Sequence, residues 1–234
     1  MNILITGASR GIGAAAYALL KKTGHKVVGH STKGSDQLIA GDLTDPNAPR
    51  DIWDTALDEL GGTIDVLVNN AGIYEGVPDN ASDEEWHAAW HRTLTINLQA
   101  AADLSRLAVS HFLDRGGSGR IVNVASRAAF RGDSPQHWHY AASKGAIVSM
   151  TKTIARGYAS EGILCFAVAP GFTVSEMTAE YLQGRGGAQI VADIPLGRVA
   201  STDEVAEVIR WLSIDAPASA TGSIVDVNGA SYVR

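Results

Sequence analysis

Two side chains in the stretch Tyr140-Ala141-Ala142-Ser143-Lys144 can share proton chemistry. In a segment that reads as a helix start, a spacing of four puts tyrosine and lysine on one face. A free phenol, with a pKa of about 10, is a poor acid and a poor base near neutrality. An ammonium one turn away favours the phenolate and draws that pKa toward the working range. The pair alone is a weak signal, and its bland reading is a surface aromatic beside a solvated lysine. Two other features give it weight: Ser126, a hydroxyl just upstream, and a glycine-rich turn near the start of the chain.

That turn, Thr6-Gly7-Ala8-Ser9-Arg10-Gly11-Ile12-Gly13, joins the apolar strand Ile3-Leu4-Ile5 to an alanine-rich helix over Ala14 to Lys22. Glycines let the backbone bend tightly and approach a pyrophosphate without a Cβ in the way, and the helix N-terminus favours an anion. A tight structural loop is the plainer alternative. After the second strand, Lys26-Val27-Val28-Gly29, come His30-Ser31-Thr32-Lys33, with no carboxylate to take a ribose 2′-OH and select NAD. Arg10 and Lys33, helped by Ser31 or Thr32, suit a 2′-phosphate, which favours NADP(H) and leaves NAD(H) possible. Lys33 read as a solvated loop charge removes that preference. Asp42 and Leu43 are positioned to meet adenine, unless Asp42 caps the turn around Thr44.

The elements alternate. Leu38-Ile39-Ala40 is a third strand, Ala48 to Leu60 a helix, and Ile64 to Val68 a strand ending at Asn69-Asn70-Ala71-Gly72. One long helical stretch covers Asp83 to Leu113, N-capped by Ser82 with Glu85 in capping-box position. Arg120 to Ala125 is a strand leading to Ser126, Tyr140 to Ala159 a helix, Leu164 to Ala169 a strand broken by Pro170-Gly171. Residues 175–195 read as a mobile lid, followed by a helix from Thr202 and a last strand, Ser223 to Val227. Alternating strands and helices predict an α/β fold: one doubly wound domain over 1–234, with helices on both faces of a mostly parallel sheet.

The 234 residues suffice for one such domain. A formal charge of −6 argues against nucleic acid or an anionic membrane as partner. No apolar run approaches the ~18 residues of a membrane span, and the N-terminal run is too short for a signal peptide. Cys165, the only cysteine, lies in an apolar run, which predicts a buried, inert thiol and a cytoplasmic setting. His87 and His91, four apart, lack a third ligand, so no metal is predicted. Trp86 and Trp90 are better explained by packing, within the chain or between subunits.

These motifs, in this order, resemble the short-chain dehydrogenase/reductase family in its small single-domain branch, near the 3-oxoacyl-ACP reductase-like members. The glycine turn is similar to that family's TGxxxGxG, Asn69-Asn70-Ala71-Gly72 to its NNAG, and Tyr140 with Lys144 to its YxxxK. The resemblance implies a doubly wound Rossmann fold with seven strands and hydride exchange between NAD(P)(H) and a small-molecule carbonyl/alcohol pair. It makes Asn97, Ser126, Tyr140 and Lys144 catalytic. Tyr140 donates the proton, Lys144 lowers its pKa and holds the ribose, Ser126 binds the substrate oxygen, and Asn97 holds a water. The implied cofactor contacts are Gly7, Ser9, Arg10, Gly11, Ile12 and Gly13, then Ser31, Thr32, Lys33, Asp42 and Leu43. Asn69, Ala71, Gly72, Tyr140, Lys144, Pro170, Gly171, Thr173 and Ser175 complete that set. A homo-oligomer, tetramer or dimer, is implied through the helices from Asp83 and Tyr140.

Between Ser126 and Tyr140 the chain departs from its relatives. Arg127, Arg131, His137 and Trp138 in that run favour a polar or anionic substrate or else line a rim. The leading expectation is an NADP-preferring carbonyl reductase. Its alternatives are an NAD-dependent alcohol dehydrogenase of the same kind and a cofactor-binding sensor or scaffold without chemistry.

Overall fold

The computed structural model describes residues 1–173 and 187–234. Seven strands form one sheet: β1 (Asn2–Ile5), β2 (Lys26–Ser31), β3 (Leu38–Ala40), β4 (Val66–Asn69), β5 (Gly119–Val124), β6 (Ile163–Pro170) and β7 (Ile224–Val227). They lie in the order β3-β2-β1-β4-β5-β6-β7, and every adjacent pair is parallel. The order reverses beside β1. At such a switch point the loops leaving neighbouring strands diverge and open a crevice at the carboxyl ends.

Alternate residues of the central strands feed two cores. Leu4, Leu67, Ile121 and Cys165 pack on one face with α2 (Ala48–Glu59), α4 (Ala100–Asp114) and α6 (Trp138–Tyr158). Ile3, Ile5, Val68, Val122 and Phe166 pack on the other with α1 (Gly11–Lys22) and α8 (Thr202–Ile214). Both faces are covered, so β6 is buried at all eight positions, as a central parallel strand requires.

The expected helical stretch from Asp83 to Leu113 forms, but not as one regular α-helix: α3 (Asp83–Leu94) and α4 are joined by a π-helical turn over Thr95–Gln99. Ser82 caps α3 with Glu85 in a complete capping box, as expected. Helix α1 begins at Gly11 rather than Ala14, and α6 at Trp138, so Tyr140 lies in its first turn. A short helix, α5 (Ala128–Arg131), follows Ser126 directly. Most of the expected lid, Ser175 included, lies outside the described residues; its end contains α7 (Gly187–Ala192). Cys165 is fully buried, and burial pushes its thiol pKa up to about 12. No described helix is long and apolar enough to cross a membrane.

Candidate active site

A cleft of about 1160 Å³ opens over the carboxyl ends of the strands. Its first wall is the glycine turn after β1. Gly7 and Gly11 have φ of +68° and +57°, the left-handed region that glycine occupies without strain. A Cβ on Gly7 would come within 2.8 Å of the Ala71 backbone, and one on Gly13 would collide with the Gly7 carbonyl and the Asn70 side chain. These two glycines therefore let the turn close on itself and pack against the loop after β4, to which it is stitched. Asn70 Nδ2 donates to the carbonyls of Thr6 and Gly7 at 2.9 and 3.0 Å, while Thr6 Oγ1 accepts from the amides of Asn70 and Ala71. Behind the turn lies buried His30. Its Nδ1 accepts from Gly7 N–H at 3.4 Å and its Nε2 bonds the Gly41 carbonyl at 2.9 Å. Burial lowers its pKa, which suits the neutral tautomer that this pattern demands.

The second wall carries Ser126, Tyr140 and Lys144. Ser126 follows β5; its Oγ accepts from Ala128 N–H at 3.1 Å, which fixes the start of α5. The same hydroxyl hydrogen-bonds the Tyr140 phenol. Lys144 is 5% exposed, and its Nζ donates to the Val124 carbonyl at 2.8 Å, 5.8 Å from the centre of the Tyr140 ring. Burial pushes the lysine pKa down to about 8. The expectation that Lys144 lowers the Tyr140 pKa is corrected here. Burial dominates and pushes the phenol up to about 12, with the Ser126 hydrogen bond acting in the opposite direction. Tyr140 therefore keeps its proton across the neutral range.

Asn97 sits behind this wall in the π turn, 2% exposed. Its Oδ1 accepts from Ile73 N–H at 2.8 Å, and its Nδ2 donates to the Ile73 carbonyl at 3.0 Å and to Ser143 Oγ at 3.3 Å. It ties the loop after β4 to α6. A Cβ on Gly72 would lie 3.2 Å from Asn97 Oδ1 and 3.5 Å from Lys144 Nζ, so the two side chains flank the same gap.

Most of the expected cofactor residues line this one cleft. Gly7, Ser9, Arg10, Gly11, Ile12 and Gly13 border it at one end, with Ser31, Thr32, Lys33, Asp42 and Leu43 beyond them. Ala71, Gly72, Pro170, Gly171 and Thr173 border the other end beside Ser126, Tyr140 and Lys144. Asn69 is the exception. It is buried and turned inward, where Nδ2 donates to Asn123 Oδ1 and Ser105 Oγ, and Asn70 takes its place at the cleft. The strand's alternating pleat sends these neighbouring asparagines to opposite sides. Asp42 lines the cleft and also closes a local turn, accepting from Thr44 N–H and Oγ1.

Of the four residues singled out before Tyr140, Arg127 and Arg131 line the cleft. His137 is instead buried, its ring stacked 3.9 Å from that of Tyr74, and Trp138 points outward at 54% exposure. Sequence reading missed Tyr74, which meets the Tyr140 ring edge-on at 4.8 Å, and Phe172, which supports Arg127. An isolated aromatic in a loop carries no periodic signal. No group of three metal-binding side chains occurs among the described residues.

The comparisons agree with this geometry. The family model for short chain dehydrogenases matches residues 1–186. The chain is 35% identical to a 3-oxoacyl-[acyl-carrier-protein] reductase of Vibrio cholerae, covering 98% of this chain and 96% of that one. It is 36% identical to a cis-4-hydroxycyclohexanecarboxylate dehydrogenase of Sinomonas cyclohexanicum, covering 97% and 94%. A short chain dehydrogenase from Burkholderia cenocepacia, solved in complex with NADP, superposes with a TM-score of 0.87 at 28% identity, covering 98% and 97%. The chain belongs to the short-chain dehydrogenase/reductase family. It is accordingly an NAD(P)-dependent oxidoreductase with a Rossmann-type fold.

Proposed function

We propose that this enzyme uses NADPH to reduce a ketone or aldehyde on a small molecule. The observation that carries the reading is one cleft that gathers the Tyr140 phenol, the Ser126 hydroxyl, the buried Lys144 and the glycine turn after β1. The glycine turn and the start of α1 would hold the pyrophosphate. Arg10, Ser31, Thr32 and Lys33 border the corner where a 2′-phosphate would lie, and β2 ends without a competing carboxylate. When bound, the nicotinamide supplies the hydride to the carbonyl carbon.

The protein's part follows from its side chains. Ser126 donates to the carbonyl oxygen and stabilises the charge that develops there. Tyr140 transfers its proton to that oxygen. Lys144, held by the Val124 carbonyl, keeps a positive charge beside the phenol as negative charge grows on it. Asn97 positions the loop after β4 against α6, and a water held beside it would carry the replacement proton.

Spectrophotometric turnover of ketones, aldehydes, quinones and acyl thioesters with NADPH and with NADH tests the reading. Faster turnover with NADPH is expected; a strong NADH preference would overturn the roles given to Arg10 and Lys33. A second reading, NAD-linked oxidation of an alcohol, is favoured by the relative named for a hydroxycyclohexanecarboxylate. A homo-oligomer packed through α3 and α6 belongs to the proposal, supported by the exposed Trp138 meeting Trp86 edge-on at 5.3 Å. A reducing cytoplasm also belongs to it, in keeping with one buried thiol.

A further inference from the structure

Arg127 follows the catalytic serine, and its backbone N–H donates to the Pro170 carbonyl at 2.9 Å, which pins it between the ends of β5 and β6. Its guanidinium lies over the Phe172 ring, 4.9 Å from the centre. Its Nη1 is buried and has no hydrogen-bond partner among the described residues. The nearby carboxylates are already engaged. Asp193 pairs with Arg131 at 2.7 Å, and Asp133 accepts from Tyr74 Oη at 3.0 Å and from Ser134 N–H at 2.7 Å. Arg131 adds a second positive charge nearby rather than relief. A half-buried guanidinium without an ion-pair partner among the described residues is costly, since part of its hydration is lost without replacement. An aromatic shelf recovers only part of that cost and leaves the planar fork oriented.

From this arrangement we infer that the substrate carries a carboxylate, and that Arg127 binds it while Ser126 and Tyr140 act on the carbonyl of the same molecule. The substrate class is thus an oxo acid. A guanidinium fork accepts a carboxylate through two parallel charge-assisted hydrogen bonds, which fixes orientation as well as affinity. An anchor adjacent in sequence to the serine, bordering the same cleft as the tyrosine, holds one end of a small substrate while the other reacts. This inference rests on the reductase reading above, and its test separates the two.

Matched oxo acids and their methyl esters, linear and cyclic, are compared as substrates with saturating NADPH. In parallel, calorimetry on enzyme loaded with NADP⁺ compares cyclohexanecarboxylate and succinate with their amides. Expected are at least a tenfold higher kcat/KM for acids than for esters and tighter binding of carboxylates than of amides. In Arg127→Leu both preferences collapse toward one, and Arg127→Lys retains an intermediate share. NADPH binding, followed by fluorescence, verifies that each variant is folded. Equal treatment of acids and esters, or of carboxylates and amides, would overturn the inference while leaving the reductase reading intact. Carboxylate binding lost in Arg127→Leu, with no carbonyl reduced by the wild type, would support the anion site and overturn the reductase reading instead.

Discussion

At the scale of single residues, burial rather than pairing governs the reactive groups. Tyr140 and Lys144 are shifted in opposite senses, up to about 12 and down to about 8, and each shift favours the neutral form. The sequence displayed the charge partner, four residues away, but not the walls that exclude water. The direction expected for Tyr140 was therefore reversed. A consequence for pH follows. Below about pH 8 Lys144 is an ammonium and Tyr140 a phenol, the pair that reduction needs. As pH rises through 8 the lysine loses its proton while the phenol keeps its own. For carbonyl reduction, kcat/KM should therefore fall on the alkaline side with an apparent pKa near 8. A profile that stays flat to pH 10 would show that the charge on Lys144 is not required.

At the scale of elements, motifs with fixed spacing were legible and interruptions of a regular pattern were not. The glycine turn, the strand end before Ser126 and the YxxxK helix are written in local residue types, and each forms within three residues of the bounds the spacing indicated. The π turn at Thr95–Gln99 adds one residue to a helical turn without disturbing the apolar pattern on either side, so periodicity read straight through it. Yet that turn delivers Asn97 to the backbone of Ile73 on both its N–H and C=O. Asn69 and Asn70 were likewise separable only once the end of β4 was known. Asn97→Ala removes the side-chain partner of two part-buried backbone groups of Ile73, a cost of roughly 1–3 kcal/mol. Chemical denaturation should register that loss, and turnover should fall with it, because the loop from Ala71 to Tyr74 borders the cleft. Unchanged stability would show that the loop is held by other contacts. Gly13→Ala should abolish tight NADPH binding, since its Cβ would collide with the Gly7 carbonyl that shapes the cradle. Wild-type affinity in that variant would refute the cradle.

At the scale of the whole molecule, a sheet order reversing beside β1 gathers loops from β1, β4, β5 and β6 at one mouth. Residues far apart in sequence thereby border one cleft, which is why order and spacing of motifs identified the class, whereas the run after Ser126 carries no motif that names a substrate. The same molecule presents Trp138 and Trp86 on the outer face of α6 and α3. If that face joins copies of the chain, sedimentation should give a dimer or tetramer, and Trp138→Glu should shift it toward monomer. A wild-type monomer would remove the oligomer from the account.

The central claim is that Tyr140 hands a proton to a carbonyl beside a bound nicotinamide. It is tested most directly by measuring NADPH affinity and carbonyl-dependent NADPH oxidation on the same samples of wild type and Tyr140→Phe. The variant keeps the ring and its contact with Tyr74 but has no proton to give. The account predicts NADPH affinity within a few-fold of wild type and turnover reduced by at least about a hundredfold, the scale of a positioned acid. Turnover equal to wild type would contradict it.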